Sequence, residues 1–288
     1  MKNGFTVSIC MITYNHESYI KQAIEGVLMQ KTNFDFELVI GEDSSTDSTR
    51  LICEEYKNQE IQVRLLSPES NLGVMPNFIR TLQACTGKYI ALCEGDDYWI
   101  DPLKLQKQVD FLEANTNVPF CFHNAKTHFI DTNIVEDFNK KLQTGYFATK
   151  DLLLKEWFIP TASLLIQKFY LPNPFPDWFS KVYSGDFALE LLLSTKGDFY
   201  YIDEKMSIYR KNALNSLSAN QTTSYNHLLK KVILLQNFSK SQTIRIKLDV
   251  IYALFITRLQ IFRAKIYLNI PLTIVIKDQF KRIFLKNN

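Results

Sequence analysis

Cysteine is scarce and scattered in this 288-residue chain: Cys10, Cys53, Cys85, Cys93 and Cys121 are odd in number and form no CxxC pair. That argues against a disulfide framework and reads as reduced core residues in a reducing compartment. Histidine is scarcer still. His16, His123, His128 and His227 show no metal-ligand spacing, which speaks against zinc. No glycine-rich, lysine-bearing loop follows the first strand-like run, and Thr13-Tyr-Asn-His-Glu-Ser is a poor cradle for a triphosphate. No apolar run approaches the roughly 20 residues that span a bilayer. No basic-then-apolar leader opens the chain, because polar Thr13 to Lys21 follows the first short strand at once. Export is therefore not expected, and a cytoplasmic location is.

What is present is ordinary in amount and uneven in placement. The chain is 46% hydrophobic and 22% charged, enough for a sizeable core in one large α/β domain with an appendage, or in two domains. Its net charge of +3 hides an asymmetry. Residues 221–288 hold twelve Lys and Arg against Asp249 and Asp278, leaving 21 basic and 28 acidic side chains for residues 1–220. A basic helical extension (221–288) on an acidic body (1–220) suggests an anionic partner for the extension.

The acidity is concentrated at strand ends. The apolar run Lys88-Tyr-Ile-Ala-Leu-Cys93 leads into Glu94-Gly95-Asp96-Asp97-Tyr98-Trp99. Three carboxylates within four residues repel one another beside apolar neighbours, which is costly unless a cation neutralises them. A hard divalent ion, Mg²⁺ or Mn²⁺, suits such an all-oxygen set. An acidic turn before a helix N-terminus would read the same way in isolation. A second acidic end, Glu42-Asp43-Ser44-Ser45-Thr46-Asp47, follows the buried-strand pattern Phe36-Glu-Leu-Val-Ile40. The first strand, Phe5–Ile12, ends in Thr13-Tyr14-Asn15.

Helical patterns near 17–30, 47–58, 76–85 and 101–115 alternate with strands near 5–12, 36–41, 61–66, 88–93 and 118–123. That alternation predicts an open, mostly parallel α/β sheet whose strand ends gather at one ligand-binding edge. Pro76 fits a first helical turn, and Asp101-Pro102 an N-cap and first-turn pair. Residues 131–147 read as a flexible connection. Tyr170 to Ser180, rich in proline and aromatics, plugs a core edge or offers faces on which sugar rings stack. Ser184-Gly185-Asp186 reads as a helix start.

The ordered set Val7–Asn15, Glu42–Asp47, Asn71-Leu72-Gly73, Gly87–Ile90 and Glu94–Asp97 resembles the family 2 glycosyltransferases of the Rossmann-like GT-A fold, over residues 5 to about 215. The family carries Asp-Asp-Gly-Ser-Thr-Asp where this chain has Glu42–Asp47, and Asp-X-Asp where it has Glu94-Gly95-Asp96. The resemblance implies a metal-dependent, inverting transferase that uses a nucleotide-diphosphate sugar, most simply a UDP-sugar. Asp96, with Glu94, would hold the metal. Thr13, Tyr14, Asn15, Asp43, Asn71 and Gly73 would hold the nucleotide. Asp186 matches the general base, with Glu190 one turn later as the fallback, although Gly185 stands where the family has Glu. The family's Tyr-Arg-X-His becomes Tyr209-Arg210-Lys211-Asn212, so Arg210 or Lys211 remains for the diphosphate and the His is lost.

The acceptor would be a saccharide or a lipid-linked saccharide in surface polysaccharide synthesis. Basic amphipathic helices in the extension would pack on the catalytic domain or dock on an anionic membrane, and not on nucleic acid. The alternatives are a sugar-nucleotide pyrophosphorylase and a non-catalytic sugar-binding relative.

Overall fold

Near-continuous apolar runs bury both faces of a strand, as parallel sheets covered by helices require. β1 (Val7–Thr13), β2 (Phe36–Glu42) and β4 (Tyr89–Leu92) are such strands in the computed structural model, which describes residues 5–57, 62–155, 157–212 and 224–267. Between them lie α1 (Ile20–Leu28), α2 (Thr49–Glu55), β3 (Gln62–Leu66) and α3 (Val74–Ala84). The four strands pair in parallel in the order β3-β2-β1-β4. The chain moves outward from β1 to β3 and then returns to the other side of β1. That reversal opens a crevice at the carboxyl ends of β1, β2 and β4.

Beyond β4 the sheet becomes mixed. Its remaining elements are β5 (Tyr98–Trp99), α4 (Lys104–Ala114), β6 (Phe120–Phe129), β7 (Ile134–Asp137), β8 (Gly145–Phe147), α5 (Thr149–Leu154), β9 (Leu165–Gln167), α6 (Gly185–Ser194) and β10 (Phe199–Lys211). β9 runs antiparallel to both β4 and β6, joining the two halves of the ten-stranded sheet. β10 pairs in parallel with β6 and carries β5 antiparallel on its other edge. Aromatic stacking builds this half: Phe120 lies 4.6 Å from Phe199, and Phe122 lies 4.9 Å from Tyr201.

The fold is the expected α/β sheet, with local differences. The helix after the acidic loop begins at Lys104 rather than Asp101; the Asp101 carbonyl accepts the Lys104 N–H, but its side chain caps no N–H inside the helix. Instead Asp101 accepts the Leu103 N–H and pairs with Lys107. The supposed flexible connection over 131–147 contains β7 and β8, because its apolar residues add onto β6 and β10. Pro76 does stand in the first turn of α3.

The chain divides into two compact units, Met1–Asn220 and Gln221–Asn288. In the second, α7 (Ser224–Ser239) and α8 (Ile244–Tyr267) pack against each other. Ile274, Phe280 and Phe284, further apolar residues of the extension, lie outside the described residues. Among the described residues no helix is long and apolar enough to cross a membrane.

α1 and β5 meet at backbone distance. A Cβ on Gly26 would stand 2.9 Å from the Trp99 backbone N and O, so only glycine fits there. The Trp99 indole N–H donates to the Ala162 carbonyl at 2.8 Å, and Lys104 Nζ sits 3.9 Å above the ring. Lys104 is wholly buried, with no hydrogen-bond partner for its amine among the described residues. Burial lowers its pKa to about 7, against the opposing influence of Cys93 and Cys121. The unfolded lysine titrates near 10.4, so the unfolded chain binds the extra proton between about pH 7 and 10 and stability falls as pH drops through that window. Lys104→Met is expected to remove this penalty and stabilise the protein by about 1–2 kcal/mol near pH 7. Urea denaturation of both proteins should show their difference shrinking towards pH 10. A constant difference would mean that the amine is solvated in the fold.

Candidate active site

Loop geometry after β1 and β2 rests on side chains that replace absent backbone partners. Asp43 is almost fully buried, and its two carboxylate oxygens accept the Leu72 and Gly73 N–H groups at 2.9 Å each. Asn71 donates to the Asp43 carbonyl, so the Asn71-Leu72-Gly73 turn is latched to the end of β2. Gly73, with φ +88°, then starts α3. Asn15, at φ +55°, accepts the Thr46 N–H at 2.8 Å, and its own N–H donates to Ser45 Oγ. Glu42 accepts the Ser45 N–H through Oε1, while Oε2 is buried without a partner among the described residues. Tyr14 is exposed beside this latch.

The acidic loop after β4 lies against the end of β1. Gly95 N–H donates to the Ile12 carbonyl at 3.0 Å, and a Cβ on Gly95 would fall 2.5 Å from Thr13 Oγ1. The loop can approach this closely only without a side chain. Asp97 is buried; Oδ1 accepts the Arg210 backbone N–H at 2.8 Å, and Oδ2 has no partner among the described residues. Burial, then the neighbouring Asp96 charge, pushes the Asp97 carboxyl well above the ordinary range. Burial, then Asp96 and Asp186, does the same to Glu94.

Arg210, near the end of β10, reaches the acidic loop. Its guanidinium donates to the Asp96 carbonyl at 2.6 Å and to Gln22 Oε1, and lies over the Tyr98 and Tyr19 rings. It braces the backbone of the acidic loop from behind, and among the described residues Glu94, Asp96 and Asp97 form no direct ion pair.

The start of α6 closes the crevice. Asp186 Oδ2 accepts from Thr161 Oγ1 at 2.8 Å, and Oδ1 accepts from Ser184 Oγ at 2.6 Å and from the Phe187 N–H. A Cβ on Gly185 would stand 2.7 Å from Met75 Sδ and 3.1 Å from Phe78, so the start of α6 packs closely on these α3 side chains. Glu190 is buried with Oε1 unpartnered among the described residues, and burial raises its pKa.

Glu94, Asp96, Asp97 and Asp186 thus meet electrostatically at one edge, with Thr13 against the acidic loop. Asp43, Asn71 and Gly73 form a latched loop on the β2 side. The sequence reading does not single out His16 or Gln22. His16 Nδ1 lies 3.2 Å from Thr13 Oγ1, and burial lowers its pKa against the opposing charge of Asp96. No local spacing links these residues to the acidic loop; only strand order does.

Hard oxygen donors, crowded until two carboxyls are pushed towards protonation, fit a divalent cation. Among the described residues no three His, Cys, Asp or Glu side chains form a ready-made metal cage, so an ion here would take further ligands from elsewhere.

An uncharacterized protein of Mycobacterium tuberculosis is 36% identical over 208 residues, covering 72% of this chain and 59% of its own length. The chain therefore spans under two thirds of that relative. The Escherichia coli UDP-Glc:alpha-D-GlcNAc-diphosphoundecaprenol beta-1,3-glucosyltransferase WfgD is 31% identical over 189 residues, 66% of this chain and 70% of its own. The structure of Staphylococcus aureus TarS 1–349 with UDP-GlcNAc superposes with a TM-score of 0.71 at 15% identity, over 93% of this chain and 77% of that one, which shows the shared GT-A fold. The model of the family described as Glycosyl transferase family 2 matches residues 8–171, more than half of the chain, and the protein belongs to that family.

Proposed function

We propose that the protein is an inverting, metal-dependent glycosyltransferase that moves a sugar from a UDP-sugar to a saccharide or lipid-linked saccharide acceptor. The observation that carries this reading is the meeting of the acidic loop and Asp186 at the strand-order reversal of a family 2 fold. WfgD, by its name, uses UDP-Glc and a diphosphoundecaprenol-linked acceptor, and TarS binds UDP-GlcNAc; both support the donor class. Family membership favours transfer over the pyrophosphorylase alternative. The work would take place in the cytoplasm, peripherally at the membrane face when the acceptor is lipid-linked.

In this mechanism Asp96, with Glu94, would hold Mg²⁺ or Mn²⁺, and diphosphate oxygens would complete the ligand set. The bound ion supplies electrostatic stabilisation to the departing diphosphate. Thr13, Tyr14 and Asn15 would line the nucleotide end, where Asp43 shapes the 71–73 loop that borders the base. Arg210 adds positive potential from behind the loop rather than clamping phosphate. Asp186 takes the proton from the acceptor hydroxyl as it attacks opposite the leaving group. Its contacts with Thr161, Ser184 and the Phe187 N–H fix one orientation. Glu190, buried and held towards its protonated form, is the poorer base.

Millimolar Mn²⁺ with UDP should raise the Tm of the wild type by about 5 °C. Asp96→Asn should lose both that gain and transfer; an undiminished gain would remove Asp96 from the metal site. Asp186→Asn should lower kcat about 10²-fold or more while the UDP-sugar still binds, as read by calorimetry. Parallel loss of donor binding would reassign the residue. Asp43→Asn places an amide N–H₂ against one of the two backbone N–H groups, those of Leu72 and Gly73, and should cost about 1–3 kcal/mol in urea denaturation. An unchanged midpoint would show the latch to be dispensable.

A further inference from the structure

The helical unit offers a surface that the transfer reaction does not use. One face of α8, with Val250, Ala253, Thr257 and Ile261, is buried. The other carries Ile244, Leu248, Ile251, Phe255, Leu259 and Phe262, all exposed, Ile244 by 80% and Leu248 by 62%. At about 100° per residue these six fall within roughly 80° of arc along most of a helix about 36 Å long. Large apolar side chains in a continuous exposed row mark a contact surface rather than scattered exposure.

Charge identifies what covers the row. Lys247 and Arg258 are exposed along one margin, Arg245 and Arg263 along the other, and the single acid of the helix, Asp249, is half-buried. Cations along both margins of an apolar stripe match a surface that is apolar at depth and anionic at its rim. A second copy meeting the stripe about a two-fold axis would set basic margin against basic margin, which the charges oppose. We infer that this face of α8 docks in-plane on an anionic lipid bilayer, with the apolar row in the acyl boundary and the four cations at headgroup level. The inference extends the peripheral location proposed above, but it rests on the helical unit alone and stands or falls separately from the transfer chemistry.

Flotation of the full chain with phosphatidylcholine vesicles, with and without about 30% phosphatidylglycerol, tests it. Recovery should be about tenfold or more higher with the anionic vesicles and should collapse in about 0.5 M salt. The variant Leu248→Ser/Phe255→Ser/Phe262→Ser should lose flotation, and so should Arg245→Gln/Lys247→Gln/Arg258→Gln/Arg263→Gln, each with unchanged circular dichroism. If the serine variant loses helicity, the glutamine variant, whose changes lie outside the row, decides. Equal recovery from the two vesicle types overturns the inference, as does flotation unaffected in the glutamine variant. So does a wild-type dimer in light scattering that becomes monomeric in the serine variant while neither protein floats; that result would assign the face to a second copy.

Discussion

Negative charge gathered at the end of β4 is the constraint on which the rest of the site depends. Glu94, Asp96 and Asp97 leave β4 within four residues, and α6 brings Asp186 into the same field. Burial and mutual repulsion push Glu94 and Asp97 towards their neutral forms. Arg210 offsets this charge only in part. It spends its donors on the Asp96 carbonyl and Gln22, and its charge on two tyrosine rings. The arrangement costs folding energy and is retained at the crevice, as expected of groups placed for binding rather than for stability.

Holding carboxylates so close requires backbone that cannot drift. Gly95 lets the acidic loop lie against Thr13, and Gly26 lets α1 lie against Trp99, fixing the loop from both ends. On the opposite side, Asn15 and Ser44 both stand in the left-handed region, at φ +55° and +56°. Side-chain hydrogen bonds across the β1 and β2 loops hold Asn15 in that conformation. The Asp43 latch extends the same rigidity to the start of α3. Met75 and Phe78 of α3 lie against Gly185 at the start of α6, next to Asp186.

The half of the sheet from β6 to β10 is built differently, from stacked aromatics in place of aliphatic strands. Its contribution to the site is positional. β10 carries Arg210 to the back of the acidic loop, and β9 ties this half to β4 beside the crevice. The buried Lys104 under Trp99 lies in this same half, a destabilising amine close to the element that supports the loop.

Much was legible from the chain itself. Continuous apolar runs ending in Thr13, Glu42 and Cys93 imply parallel strands with their polar ends together, because a two-face-buried strand can expose polar groups only at its end. The acidic motif, the ordered blocks and the switch from an acidic body to a basic tail are local properties, and the sequence carries them directly. Short-range pattern misplaced what depends on partners: the start of α4, and β7 and β8, which form by adding onto β6 and β10. The convergence of His16, Gln22 and Arg210 on the acidic loop, across separations of up to 188 residues, is written in no local pattern. Only the sheet order brings them together. The faces of α8 divide for the same reason: periodicity marks every apolar position alike, and only packing decides which are buried and which remain exposed.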